Sequence, residues 1–268
     1  ITLWSGQLGL VLGLLPLSVG LALLLRQRHL LTGLVWSILS LKPQYFPAAA
    51  FVALVFLLVG NWRLAAGLAL GGVIVIGANV LVFSPALVQQ WLVSHRLSDA
   101  LFISRDYGIP VHLVTSLPAN LLLWLPDQAR ATFKWPIYFT ALLCWSLGVV
   151  FCVIAQRRDW DERGKVALSL TTGCLLSSFA LPHLLYYDLV VLIPAGYLLL
   201  RSNRSLSVAD RTKAIAITAW LCISLYLPIA LAYAPPAGVA LLFEAALAVL
   251  VGLLLQRAFA AYRRPNAV

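Results

Sequence analysis

Polar residues are sparse along this chain and fall in clusters, which divide it into nine apolar segments: Ser5–Leu25, Leu30–Leu41, Tyr45–Gly60, Leu64–Phe83, Ile137–Gln156, Val166–Leu181, Leu189–Leu200, Ala214–Ala232 and Gly238–Gln256. A helix rises about 1.5 Å per residue, so about 20 residues cross a hydrocarbon core of about 30 Å. Several segments reach that length, but Leu30–Leu41 does not. It needs Gln27–His29 and Lys42–Tyr45 as extensions, or it forms a re-entrant hairpin with the next segment. Both arrangements return Asn61-Trp62-Arg63 to the same side. The pattern predicts an all-α polytopic membrane protein of about nine transmembrane helices, forming one transmembrane domain over residues 1–268.

The short connections carry a sign. Of the 19 lysines and arginines, 14 fall on one side of this alternation. The other side holds Lys42, Arg96, Arg105, Arg130 and Lys134. The positive-inside rule makes the richer side cytoplasmic, with the C-terminus inside. Lys42 and the longest loop then lie outside. The sequon at Asn203-Arg204-Ser205 falls on the cytoplasmic side and carries no weight as a glycosylation site.

That longest loop, Ser84–Pro136, covers 53 residues. It is too apolar for disorder, and loops of such length in compact proteins tend to be functional. Pro85–Leu101 and Pro118–Phe133 mix Trp and Leu with scattered charges, as helices lying in a membrane interface do. The expectation is an outer juxtamembrane subregion over residues 84–136.

Composition agrees with the segment count. The chain is 62% hydrophobic and 10% charged over 268 residues, more apolar surface than one soluble core can hide. Its net charge of +10 reflects the loop cations. No basic stripe interleaves with aromatics, so nucleic acid is not an expected partner. Cys144, Cys152, Cys174 and Cys222 lie inside apolar runs without CxxC pairing or neighbouring His, so they suit neither a metal site nor a disulfide framework. No metal or other cofactor is expected. The chain begins at Ile1 and contains no Met, so further residues are expected upstream. P-loop, GxGxxG, HExxH and GxSxG patterns do not occur.

Four places carry candidate chemistry. Leu41-Lys42-Pro43-Gln44 sets a cation and a helix breaker between two apolar runs. An ionisable residue at such a place is costly, and Pro43 ends or kinks the helix. Lys42 suits either an anionic lipid phosphate, held as a point charge, or a snorkelling anchor. Pro182-His183-Leu184-Leu185-Tyr186-Tyr187-Asp188 offers hydrogen-bonding groups for a sugar or phosphate. The alternative makes Asp188 an N-cap for Leu189–Leu200 and the tyrosines an aromatic belt. Arg105, Asp106, Tyr107 and His112 form a third set, explained as well by a solvated loop face. Glu244 is an intramembrane carboxylate that needs a partner or water. Asn79 and Gln7 are expected to hydrogen-bond between helices.

Three of these features together resemble the polyprenol-phosphate-mannose-dependent glycosyltransferases of family 87, which have the GT-C fold. They are Ser5-Gly6-Gln7 opening a helix, Leu41-Lys42-Pro43-Gln44 closing the next, and Tyr187-Asp188-Leu189 before a late span. The resemblance covers the middle and C-terminal part of such a protein. It implies an integral membrane transferase of mannose or a related sugar. The donor would be a polyprenyl-phosphate-linked sugar, and the acceptor a glycolipid, glycan or protein at the outer face of a bacterial inner membrane. A base would take the acceptor proton while a cation stabilises the leaving phosphate. In GT-C enzymes that base is a carboxylate in the first outer loop, which the resemblance puts upstream of Ile1. Lys42 is the leading candidate for the phosphate, with Arg105 and His183 beside it, and Gln44, Tyr187 and Asp188 for the rest of the substrate. Two other readings remain at this level. A lipid or solute transporter would show paired helix breaks in two similar halves, and a non-catalytic scaffold would use Lys42 and Asp188 only as anchors.

Overall fold

The computed structural model describes residues 9–90, 93, 111–157, 162–182, 184, 186–194, 198, 233, 239 and 242. Among these the regular elements are all helical. A π-helical segment, Gly9–Leu14, leads into α1 (Leu15–Leu25). Then come α2 (His29–Trp36), its 3-10 continuation Ser37–Leu41, α3 (Phe46–Leu58) and α4 (Arg63–Phe83). After the long loop follow α5 (Leu117–Trp124), α6 (Asp127–Gln156) and α7 (Glu162–Ala180), and a 3-10 turn over Tyr186–Val191.

Among the described residues two helices, α4 and α6, are long and apolar enough to cross a membrane. Both leave much of that apolar surface uncovered: Leu81 is 87% exposed on α4, and Phe139 is 68% exposed on α6. Side chains of this kind on the outside of a helix are costly in water and suited to lipid.

The buried core runs through α1, α2, α3 and α7. The indole of Trp36, fully buried, donates to the Leu17 carbonyl at 3.3 Å and ties α2 to α1. The α2–α4 seam is closer still. A Cβ on Gly33 would lie 2.5 Å from Leu68 N and 2.7 Å from Gly67 C, and one on Gly67 would strike the Leu30 carbonyl. Gly67 and Gly71 are four apart on one face of α4, the small-xxx-small spacing that lets helix backbones touch. A second core layer joins α3 to α6 and α7. There Phe51 meets Trp145 edge-on with ring centroids 5.2 Å apart, and Trp145 Nε1 donates to Ser177 Oγ at 3.2 Å.

α2 with its 3-10 continuation, and α3, each give about 20 Å of rise, short of a full crossing. They meet at the turn 42–45, forming a short hairpin rather than two complete spans. Gly71 of α4 lies against Ser37 and Leu34. From that level α4 climbs about 18 Å further to Phe83, whereas the chain from Ser37 to Lys42 climbs about 10 Å. The hairpin tip is therefore recessed by about 8 Å relative to the end of α4. Gly60, with φ of 95°, takes the left-handed conformation that stops α3.

The structure corrects three expectations. Pro118–Phe133 is not one helix. Pro126 forces Leu125 into extended backbone (φ −76°, ψ 149°), so α5 stops at Trp124 and α6 starts at Asp127. The fifth span consequently begins ten residues before Ile137 and carries Pro136 within it. Arg130 secures the break: its Nε donates to the carbonyls of Leu122 (3.0 Å) and Leu125 (3.2 Å), and Nη2 lies 2.7 Å from Asp127 Oδ1. Asn79 bonds within its own helix, donating to the Val75 carbonyl at 2.8 Å; the upper half of α4 faces outward, with Val73 and Ile76 exposed. Of the expected interfacial helix Pro85–Leu101, residues 85–90 and Val93 are helical, and the remainder lies outside the described residues. Ala214–Ala232 lies wholly outside the described residues, as does Gly238–Gln256 apart from Val239 and Leu242.

Candidate functional site

The two ends of the bundle differ. At one end Leu24, Gln27, His29, Glu162 and Arg163 line a small cavity between α1, α2 and α7. The opposite end is built by the turn 42–45, the segment 111–116 and the chain after α7. Thr115 N donates to the Leu184 carbonyl at 3.0 Å, and Ser116 Oγ donates to the Leu181 carbonyl. Ser116 also caps α5, accepting from Ala119 N at 3.2 Å. These bonds hold Leu181 and Leu184 against the segment 115–116, and Asp188, a few residues on, reaches the hairpin tip.

At that tip Lys42 ends the 3-10 turn in extended conformation (φ −127°, ψ 93°), as the following Pro43 requires. Its Nζ forms an ion pair with Oδ1 of Asp188. The side chains are 14% and 2% exposed respectively. Tyr45 completes the cluster. Its hydroxyl donates to Asp188 Oδ1 at 2.9 Å and accepts from Lys42 Nζ at 3.1 Å. The ammonium also sits 4.8 Å from the Tyr45 ring centroid. Tyr45 is fully buried, and a Cβ on Gly13 would lie 2.6 Å from its ring. The π-helical segment therefore closes over the phenol; single π turns inside helices recur at functional sites.

Gln44 lies beside this cluster. Its Oε1 is buried and accepts no hydrogen bond among the described residues. A buried acceptor of this kind is costly unless something else bonds to it.

The sequence-level candidates thus separate into groups. Lys42, Gln44 and Asp188 converge at one end of the bundle, and Tyr187 shares the 3-10 turn with Asp188. The alternative of Asp188 as a helix cap gives way to its bonds with Lys42 and Tyr45. Arg105, Asp106, Tyr107, His183, Glu244 and Gln7 lie outside the described residues. His112 sits in a 3-10 turn, Val111–Leu113. Tyr45 is the residue that sequence reasoning missed. Its signal was the spacing Lys42–Tyr45, which puts the phenol one turn beyond the cation. Among the described residues no group of three or more His, Cys, Asp or Glu could hold a metal ion. A separate apolar groove of about 250 Å³ runs between α5, α6 and α7, lined by Leu121, Ile137, Cys144 and Phe179 among others; it does not include Lys42, Gln44 or Asp188.

A helical protein with lipid-length apolar helices and a buried ion pair at a proline-broken tip is the class that these features define. The chain belongs to glycosyltransferase family 87, whose family model matches residues 1–182. The match takes in the whole 42–45 turn and stops short of Asp188. No curated protein and no solved structure matches the chain.

Proposed function

We propose that this family member is an integral membrane glycosyltransferase of GT-C type. It moves mannose or a related sugar from a polyprenyl-phosphate donor to a glycolipid, glycan or protein acceptor at the outer face of a bacterial inner membrane. The bond between the anomeric carbon and the phosphate oxygen breaks, and the acceptor oxygen takes its place. A general base accepts the acceptor proton, and the leaving polyprenyl phosphate keeps the electron pair. No residue of this chain is assigned the role of that base. Lys42 supplies positive charge to the phosphate, Arg105 and His183 add to it, and Gln44 and Tyr187 hydrogen-bond the remainder of the donor.

The observation that carries this reading is the make-up of the hairpin tip. It combines the Lys42 side chain, 14% exposed, with a nearby buried acceptor, Gln44 Oε1, that has no partner among the described residues. A donor whose phosphate lies at the headgroup level and whose sugar brings hydroxyl donors fits both. The positive-inside count supports the outer-face assignment. The test is sugar transfer by the purified full-length protein in nanodiscs. Radiolabelled isoprenyl-phosphate mannose should be consumed in the presence of a membrane glycolipid fraction, and a nucleotide-linked mannose should not. Transfer from the nucleotide sugar alone overturns the proposal.

A further inference from the structure

We propose that Asp188 is a positioning residue that tunes Lys42, acting as a fixed counter-charge that keeps the site from holding the phosphate product too tightly. This rests on the polyprenyl-phosphate reading above. In the donor, phosphate is a diester with one negative charge. When the bond to the anomeric carbon breaks, the electron pair stays on the phosphate oxygen. The leaving group is then a monoester with a second ionisation near pH 6, so at neutral pH the product carries close to one more negative charge than the donor.

A lone buried ammonium would bind that product far more tightly than the donor, because each added charge acts at short range in a poorly screened site. Product release would then limit turnover. Lys42 is not alone. Asp188, 1% exposed, holds its Nζ directly, and Tyr45 bonds to both partners. The phenol is itself pinned by full burial and by Gly13 against its ring. The carboxylate therefore cannot swing aside easily when a phosphate arrives. Lys42 presents a partly neutralised cation, strong enough to orient an anion and weak enough to release a dianion.

The experiment measures competition against donor turnover by three probes at pH 8: farnesyl phosphate, its methyl diester, and farnesol. It uses the full-length protein in nanodiscs. In the unmodified protein both phosphates should outcompete farnesol, with the monoester preferred over the diester by less than about fivefold. In Asp188→Asn that preference should rise by about tenfold or more, with stronger product inhibition. A carboxylate that merely supports the fold would weaken all three probes together, and that outcome overturns the proposal. If Asp188→Asn does not fold, the unmodified protein decides: a monoester preference above about fivefold sinks the idea. If neither phosphate competes better than farnesol, the donor assignment fails as well; if both do and the ratio is unmoved by Asp188→Asn, only this inference fails.

Discussion

Lys42 and Asp188 stand 146 residues apart in the chain and form a buried ion pair, with the Tyr45 hydroxyl bonded to each. The pair joins the hairpin tip to the turn after α7. It therefore fastens two chain segments together at one end of the described bundle.

Removing one partner leaves the other buried and uncompensated, which costs about 3–5 kcal/mol. Lys42→Ala should lower thermal stability in detergent and abolish sugar transfer. The double variant Lys42→Ala/Asp188→Ala should recover most of the stability and none of the transfer. Melting curves and a transfer assay on the same preparations separate the two effects. Near-normal transfer by either Lys42 variant would reduce the lysine to a structural anchor.

Gln44 should behave in the opposite sense. Its Oε1 is a buried acceptor without a bond among the described residues. Gln44→Leu removes that unmet acceptor and should leave stability unchanged or raise it by about 1 kcal/mol. Transfer should fall by about tenfold through KM, if the lost interaction is worth about one hydrogen bond. A stable variant with unaltered KM would take Gln44 out of the donor site.

The α2–α4 seam admits no side chain at Gly33 or Gly67. Gly67→Val should cost about 1–3 kcal/mol through overpacking and displace the tip that α2 supports. Gly77, which has nothing within 4 Å of a built Cβ, is the control: Gly77→Ala should be near neutral. Equal effects of the two substitutions would show that the seam is not tightly packed.

Sidedness is open to chemical labelling. With the native cysteines replaced, Gln128→Cys at the start of α6 should react with an impermeant maleimide in intact cells. Arg157→Cys, just beyond the other end of the same helix, should react only after permeabilisation. The reverse pattern would put Lys42 on the cytoplasmic face and remove the outer-face acceptor.

Much of the helix pattern was legible because apolar runs and their breakers are local. Leu25, Phe83 and Gln156 end helices where the sequence ends apolar segments. The Lys42–Gln44 break was equally visible, since Pro43 acts on its neighbours alone. The start of α6 was obscured because Arg130, Lys134 and Pro136 interrupt hydropathy without interrupting the helix. Arg130 spends its polarity on the carbonyls of α5, and Lys134 lies 5.4 Å from the Trp135 ring and 5.7 Å from that of Tyr138. The Lys42–Asp188 pairing was out of reach of any local rule. Both residues were candidates, yet nothing in spacing joins two positions brought together by the packing of α3 against α7. Asn79 was misjudged for a related reason: hydropathy does not say which half of a helix has a neighbour.

Among the described residues, the stunted hairpin beside the taller α4 leaves an uneven rim. Lipid next to it faces a wall about 8 Å lower, and a bilayer meets such a mismatch by thinning locally. The isoprenoid donor proposed above, drifting sideways, would reach this dip with its tail still among its neighbours, and would need no lifting out of the leaflet to bring its polar end down to Lys42.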